Sequence, residues 1–184
     1  MTITPDAIEV CEYDPAWPES FLAEKKVLVV AFGERAKDIQ HVGSTAVPGL
    51  GAKPIIDILV AVEDLDRGKD QLAMLARLGY VHVPHDEDAR RLFFYRGMPR
   101  QFHVHVVKFR SWTYWKHIIF RDYLLEHPTT LDEYQCLKIV LANRFREDRD
   151  SYVEGKADFI EMVMERAVKE RLFYPNPFLR CPYP

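Results

Sequence analysis

Residues 41–60 read HVGSTAVPGLGAKPIIDILV. It joins a short predicted strand, 38–42, to the strongest predicted strand, 54–62, through a loop at 43–53 that holds three glycines and one proline. The second strand is apolar on both faces apart from Asp57, as expected for a central strand that is covered on both sides. The stretch therefore predicts a sheet whose central strand follows a loop of small residues.

Strand and helix patterns alternate up to about residue 110, and helical patterns dominate after it. Further strands are predicted at 8–13, 80–83, 91–95 and 102–107, and helices at 15–32, 64–78, 111–126, from about 130, and from 151 to about 172. The last two helices open with capping boxes. We predict an α+β fold, a mixed sheet with flanking helices. We expect one domain, with a sheet-and-helix core over about 1–110 and a helical part with a tail over about 111–184.

The composition argues against several classes of protein. The chain has 184 residues and a net charge of −3, which does not favour binding to extended nucleic acid. Its longest apolar runs are too short to span a bilayer, and its polar first twelve residues do not resemble a signal peptide. The cysteines, at 11, 136 and 181, form no C-x-x-C pair. We therefore expect a reduced, cytoplasmic protein with no membrane partner.

Gly43, Ser44 and Thr45 form a short run of small residues directly after the first strand of the opening stretch. Glycine and serine allow a tight turn, which can present backbone N–H groups and a hydroxyl to a phosphate. The alternative is a turn that uses small residues for steric reasons alone. The run is not a Walker A loop, because the G-x-x-x-x-G-K-[ST] spacing is absent.

Asp57 lies in the middle of the apolar strand, where a carboxylate is costly unless a metal ion, a cation or backbone donors compensate it. His103 and His105 stand two residues apart on another predicted strand, so both point to one face with Cα atoms ~6.5–7 Å apart. That spacing suits two ligands of one metal ion or two contacts to one phosphate. The alternatives are a structural salt bridge for Asp57 and histidines that only hydrogen-bond to their neighbours.

Residues 89–120 form a basic stretch that contains no Asp or Glu. Its cations are Arg90, Arg91, Arg96, Arg100, Lys108, Arg110 and Lys116. Such a stretch in a net acidic chain favours a local anion site, and the alternative is that the cations scatter over the surface. Neighbouring residues of a strand point to opposite faces, so about half of these cations could converge.

Residues 41–60 also resemble the signature of the GrpB family. The resemblance continues through HVHV at 103–106, FRDYLLEHP at 120–128, Tyr134, Lys138 and the Tyr152-x-x-x-Lys156 spacing, so it covers nearly the whole chain. The GrpB family is similar to the DNA polymerase beta-like nucleotidyltransferase superfamily, and a GrpB-like domain also occurs fused to dephospho-CoA kinase. The resemblance implies a nucleotidyltransferase-like fold.

The superfamily pattern is a hydrophobic residue followed by Gly-Ser, and then two acids separated by one residue. Residues 42–44 fit its first part and Asp57 fits the first acid, but Leu59 stands where the second acid is expected. Two-metal phosphoryl transfer needs several carboxylates. One aspartate with two imidazoles suits a softer ion, Zn²⁺ or Mn²⁺, better than Mg²⁺. We therefore expect at most one divalent ion (Mg²⁺, Mn²⁺ or Zn²⁺), held by Asp57, His103 and His105.

Together these features predict a protein that binds a nucleotide or another phosphorylated small molecule. As an enzyme it would catalyse phosphoryl or nucleotidyl transfer. The predicted catalytic residues are Asp57, Ser44 and His105, and the predicted phosphate-binding residues are Gly43, Ser44, Thr45, Lys53, Arg90, Arg91 and Lys138. The alternatives are a non-catalytic nucleotide-binding module and a metal-dependent phosphohydrolase.

Overall fold

The computed structural model describes residues 8–84 and 91–170, which form a mixed sheet with helices on both faces. The strands are β1 (Ala36–Val42), β2 (Ile56–Val62), β3 (Val81–Val83), β4 (Arg91–Arg96) and β5 (Phe102–Lys108). The helices are α1 (Trp17–Phe32), α2 (Leu65–Gly68), α3 (Leu72–Arg77), α4 (Trp112–Glu126), α5 (Pro128–Arg144), α6 (Arg149–Glu154) and α7 (Ala157–Glu170). The predicted α+β fold class is confirmed. No helix within the described ranges combines the length and the apolar composition needed to cross a bilayer.

The strand order is β1-β2-β5-β4-β3, so the apolar strand β2 lies inside the sheet as predicted. It pairs antiparallel with β1 and parallel with β5. β4 pairs antiparallel with both β5 and β3. The parallel pair matters for the site, because its register places Asp57 beside His103 and Leu59 beside His105.

Side-chain alternation divides the sheet into two buried faces. On one face Ile58 and Val60 belong to a core cluster that includes Leu28 and Phe32 of α1. On the other face Leu59, Ala61 and Val107 pack with Tyr114 of α4. Asp57 shares the alternation of Leu59, so its carboxylate lies on the α4 side of the sheet.

Three predicted elements differ from the structure. The predicted strand 8–13 is reduced to one isolated bridge, between Cys11 and Ala52. The predicted helix 64–78 is split by a 3₁₀ turn at Lys69–Gln71, directly after a glycine, which is a poor helix former. The predicted helix from 151 is divided at 155–156 into α6 and α7, and the side chain of Asp148 caps α6 instead of Ser151. The end predicted near 172 lies outside the described residues, which stop at 170.

Candidate functional site

The structure brings together Asp57, His103 and His105 through the pairing of β2 with β5. His103 Nδ1 lies 3.0 Å from Asp57 Oδ1, and His105 Nε2 lies 3.5 Å from the same oxygen. Both histidine side chains are nearly buried, whereas the Asp57 side chain is 30% exposed. Two imidazoles from one strand therefore converge on one carboxylate oxygen of the neighbouring strand.

The carboxyl group of Asp57 is held in its ionised form. Burial by itself would raise its pKa, but the hydrogen bonds and charges of His103 and His105 outweigh burial and lower the pKa below its usual range. The pKa of His103 is also lowered, chiefly because burial disfavours the imidazolium. A carboxylate with so low a pKa is a weak proton acceptor, so the geometry does not favour Asp57 as a general base.

Two arginines contact the outer nitrogens of these histidines. Arg91 Nη1 lies 3.2 Å from His105 Nδ1, and Arg149 Nη2 lies 3.4 Å from His103 Nε2. Arg91 comes from the predicted basic stretch. Arg149, the first residue of α6, was not a predicted site residue, because nothing in its local pattern indicates which side of the sheet α6 approaches.

His117 and Lys156 also belong to the site and were missed. The ring of His117 in α4 lies 5.3 Å from that of His105, and its Nδ1 donates to the carbonyl oxygen of Thr113. Burial lowers the pKa of His117 to about 4. The Lys156 ammonium lies 4.2 Å from the ring centre of Tyr152 and interacts electrostatically with Asp57. The sequence pointed to Lys156 only through the Tyr152-x-x-x-Lys156 spacing of the family resemblance.

The loop of small residues packs directly on the carboxylate. Gly43 has a φ of +71°, and a Cβ at this position would lie 2.6 Å from Asp57 Oδ2. The hydroxyl of Ser44 hydrogen-bonds to the phenol of Tyr134 in α5. Gly43 and Ser44 thus border the site, as predicted, and glycine is required where the loop approaches Asp57.

Two predicted phosphate contacts have other roles in the structure. Thr45 is buried, and its hydroxyl contacts His41 Nε2 at 3.0 Å and the Ile55 carbonyl oxygen at 3.4 Å. Lys138 is also buried, and its ammonium donates to the carbonyl oxygen of Gly51. Both residues support the loop through these internal hydrogen bonds, and their role as phosphate contacts stays a prediction.

The remaining predicted cations are distributed unevenly. Lys53 lies at the margin of the site, with its ammonium 5.1 Å from the ring centre of Tyr152. Arg96 points to the opposite face of the sheet, where it pairs with the buried Glu24. Arg90 lies outside the described residues. Arg91 is thus the arginine of the basic stretch that the structure places near Asp57.

The predicted metal ligands fit a metal ion poorly in this arrangement. Within residues 8–84 and 91–170, no group of three or more His, Cys, Asp or Glu side chains is arranged to hold one. The inward-facing nitrogens of His103 and His105 are turned toward Asp57 Oδ1, and the outward-facing nitrogens are turned toward arginines. A divalent ion at Asp57, His103 and His105 stays a prediction.

Part of a longer enzyme is similar to this chain. The dephospho-CoA kinase of Mycolicibacterium paratuberculosis is 28% identical over 180 residues, which cover 84% of this chain and 44% of that protein. This chain therefore spans less than half the length of that relative.

Other similarities also cover most of this chain. The family model described as GrpB protein matches residues 7–166. The UPF0157 protein PA4798 of Pseudomonas aeruginosa is 39% identical over 89% of this chain and 69% of its own length. The crystal structure of conserved protein GrpB from Enterococcus faecalis covers 89% of this chain and 99% of that one, with a TM-score of 0.81 and 34% identity. This chain is thus a member of the GrpB protein family.

Proposed function

We propose that this protein binds a phosphorylated small molecule, a nucleotide or a coenzyme A precursor, at the Asp57 site. The observation that carries the proposal is the convergence of Arg91, Arg149 and Lys156 around one carboxylate, beside the Gly43 loop. Guanidinium groups bind phosphate oxygens through paired N–H donors, and a lysine adds a point charge.

Each part of the site has a role in this proposal. The guanidinium groups of Arg91 and Arg149 contact phosphate oxygens, and the imidazoles that they touch hold them in place. Lys156 contributes a further positive charge near Asp57, and the ring of Tyr152 orients its ammonium. Backbone N–H groups at Gly43 and Ser44 supply neutral donors at the edge of the site.

The similarity to a dephospho-CoA kinase supports the choice of ligands. The name of that protein describes an enzyme that handles both a nucleotide and a coenzyme A precursor. Leu59 leaves β2 without the second acid that two-metal transfer uses, so we propose binding as the function. Phosphoryl or nucleotidyl transfer would be detected separately, as release of a product when the protein is incubated with ATP.

Thermal unfolding of the full chain tests the proposal with AMP, ADP, ATP and dephospho-coenzyme A. A ligand present at one hundred times its Kd stabilises the native state by about 2.7 kcal/mol, which raises the Tm by about 5 °C or more. We expect at least one ligand to do so for the wild type and not for Arg149→Gln. Arg146→Gln, which removes an exposed arginine three residues away, should behave as the wild type. Failure of all four ligands to raise the wild-type Tm would reject the proposed function.

A further inference from the structure

The hydrogen bonds at the site fix which nitrogen of each histidine carries the proton. A guanidinium can only donate, so His105 Nδ1 and His103 Nε2, which face Arg91 and Arg149, act as acceptors. In a neutral imidazole the other nitrogen then carries the hydrogen. His103 Nδ1–H and His105 Nε2–H therefore both point at Asp57 Oδ1. Each histidine thus accepts a hydrogen bond from an arginine and directs its own N–H at the carboxylate.

This placement of the imidazole hydrogens disfavours a metal ion between Asp57, His103 and His105. A metal ligand must present a lone pair, but the nitrogens that face Asp57 carry hydrogens. Exchanging the hydrogens would turn N–H groups toward the arginines, which have no acceptor to offer. In addition, Asp57 Oδ1 already faces two donors and Oδ2 lies against Gly43. Arg91 and Arg149 place positive charge where metal ions place it in two-metal sites.

We infer that Arg91 and Arg149 bind a terminal phosphate dianion directly, without a metal ion between protein and phosphate. This inference rests on the proposed function and specifies its ligand class as phosphomonoesters. Arg91, Arg149 and Lys156 bring three cationic groups to the neighbourhood of Asp57. Several cations favour a phosphomonoester dianion over a diester, which carries only one negative charge. A guanidinium has five N–H donors and can therefore bond an imidazole and a phosphate oxygen together.

The direct test uses the full chain in EDTA, with inorganic phosphate and dimethyl phosphate as probes at equal ionic strength. We expect inorganic phosphate to raise the Tm in EDTA and dimethyl phosphate to bind at least about tenfold more weakly, because it lacks the second charge. Replacing EDTA with Mn²⁺ or Mg²⁺ should change the phosphate affinity by less than about twofold. Phosphate binding that requires either metal ion would overturn the inference.

Asp57→Asn separates direct binding from metal-assisted binding. The amide keeps an oxygen that accepts from both histidines and removes one negative charge, so phosphate should bind about threefold more tightly or better. A site that needs the carboxylate as a metal ligand would instead lose phosphate binding. Arg149→Gln should weaken binding about tenfold or more, and Arg146→Gln should not change it. Equal phosphate affinities of wild type and Arg149→Gln would also overturn the inference.

The outcomes distinguish this inference from the proposed function. Should a nucleotide or dephospho-coenzyme A bind only with Mg²⁺ or Mn²⁺, the proposed function would stand and the metal-free inference would fail. Should none of the four organic ligands and no inorganic phosphate bind under any metal condition, both would fail. Nitrogen NMR of the imidazoles gives an independent readout. It should show the hydrogen on Nδ1 of His103 and on Nε2 of His105, and the opposite assignment would contradict the argument.

Discussion

Gly43 lies against the carboxylate of Asp57 so closely that a Cβ at Gly43 would stand 2.6 Å from Asp57 Oδ2. The loop residue has a φ of +71° and the aspartate sits at the start of the central strand, opposite Val42 in the β1–β2 register. Because Gly43 has no side chain, the loop backbone can pack directly against the carboxylate of Asp57. This contact joins the fold of the loop to the chemistry of the site.

Gly43→Ala should therefore be strongly destabilising, because its Cβ would clash with Asp57. An alanine that replaces a glycine with a positive φ but no such clash should be less destabilising. Gly49 is the matched control, because its φ is +83° and a Cβ there would meet nothing within 4 Å. We expect Gly49→Ala to lower the free energy of unfolding by about 1–2 kcal/mol. The clash with Asp57 should add about 1–3 kcal/mol in Gly43→Ala. Urea unfolding of both variants measures the difference, and equal losses would show that the Gly43–Asp57 contact costs nothing to disturb.

Lys138 should give the stability of the protein a pH dependence. Burial lowers its pKa to about 7 from an unfolded value of 10.5, so above pH 7 the unfolded chain holds a proton that the folded chain has lost. Wild-type stability relative to Lys138→Met should accordingly rise with pH between about 7 and about 10. Urea unfolding across this range provides the measurement. A stability difference that stays flat, or that falls with rising pH, would contradict a buried Lys138 with a lowered pKa.

Lys156 should give anion binding the opposite pH dependence. Burial lowers its pKa to about 8, so its positive charge is lost as the pH rises through that value. Arginine stays charged, so Lys156→Arg should retain phosphate affinity better than the wild type at about pH 9.5. We expect the ratio of the two proteins' affinities to change by about threefold or more between about pH 7 and about pH 9.5. Taking the ratio cancels the titration of phosphate itself, and a constant ratio would remove Lys156 from the site.

Part of the central geometry could be predicted because it depends on local patterns. The apolar run around Asp57 predicts an inner strand, and the two-residue spacing of His103 and His105 places both on one face. The β2–β5 register then supplies the contact between the acid and the imidazoles. A sequence does not state which two strands are neighbours, so this adjacency needed the structure.

The residues whose places in the structure were not predicted depend on packing between distant elements. Arg149 is the first residue of the short helix α6 and Lys156 follows that helix, and more than ninety positions separate both from Asp57. Their convergence is set by how α6 and α7 pack against the sheet. Hydrophobic periodicity predicts the helices but not how they pack. Thr45 and Lys138 have side chains of the expected chemistry, but burial beneath the loop commits them to internal hydrogen bonds.

The account depends most directly on where a phosphorylated ligand binds. Two-dimensional NMR of the full chain, titrated with ATP, measures this residue by residue. We predict that the first shifts appear at the amides of Gly43 and Ser44 and at the imidazoles of His103 and His105, and that Arg149→Gln abolishes them. Shifts confined to the opposite face of the sheet, around Glu24 and Arg96, would contradict the account, and so would shifts that persist unchanged in Arg149→Gln.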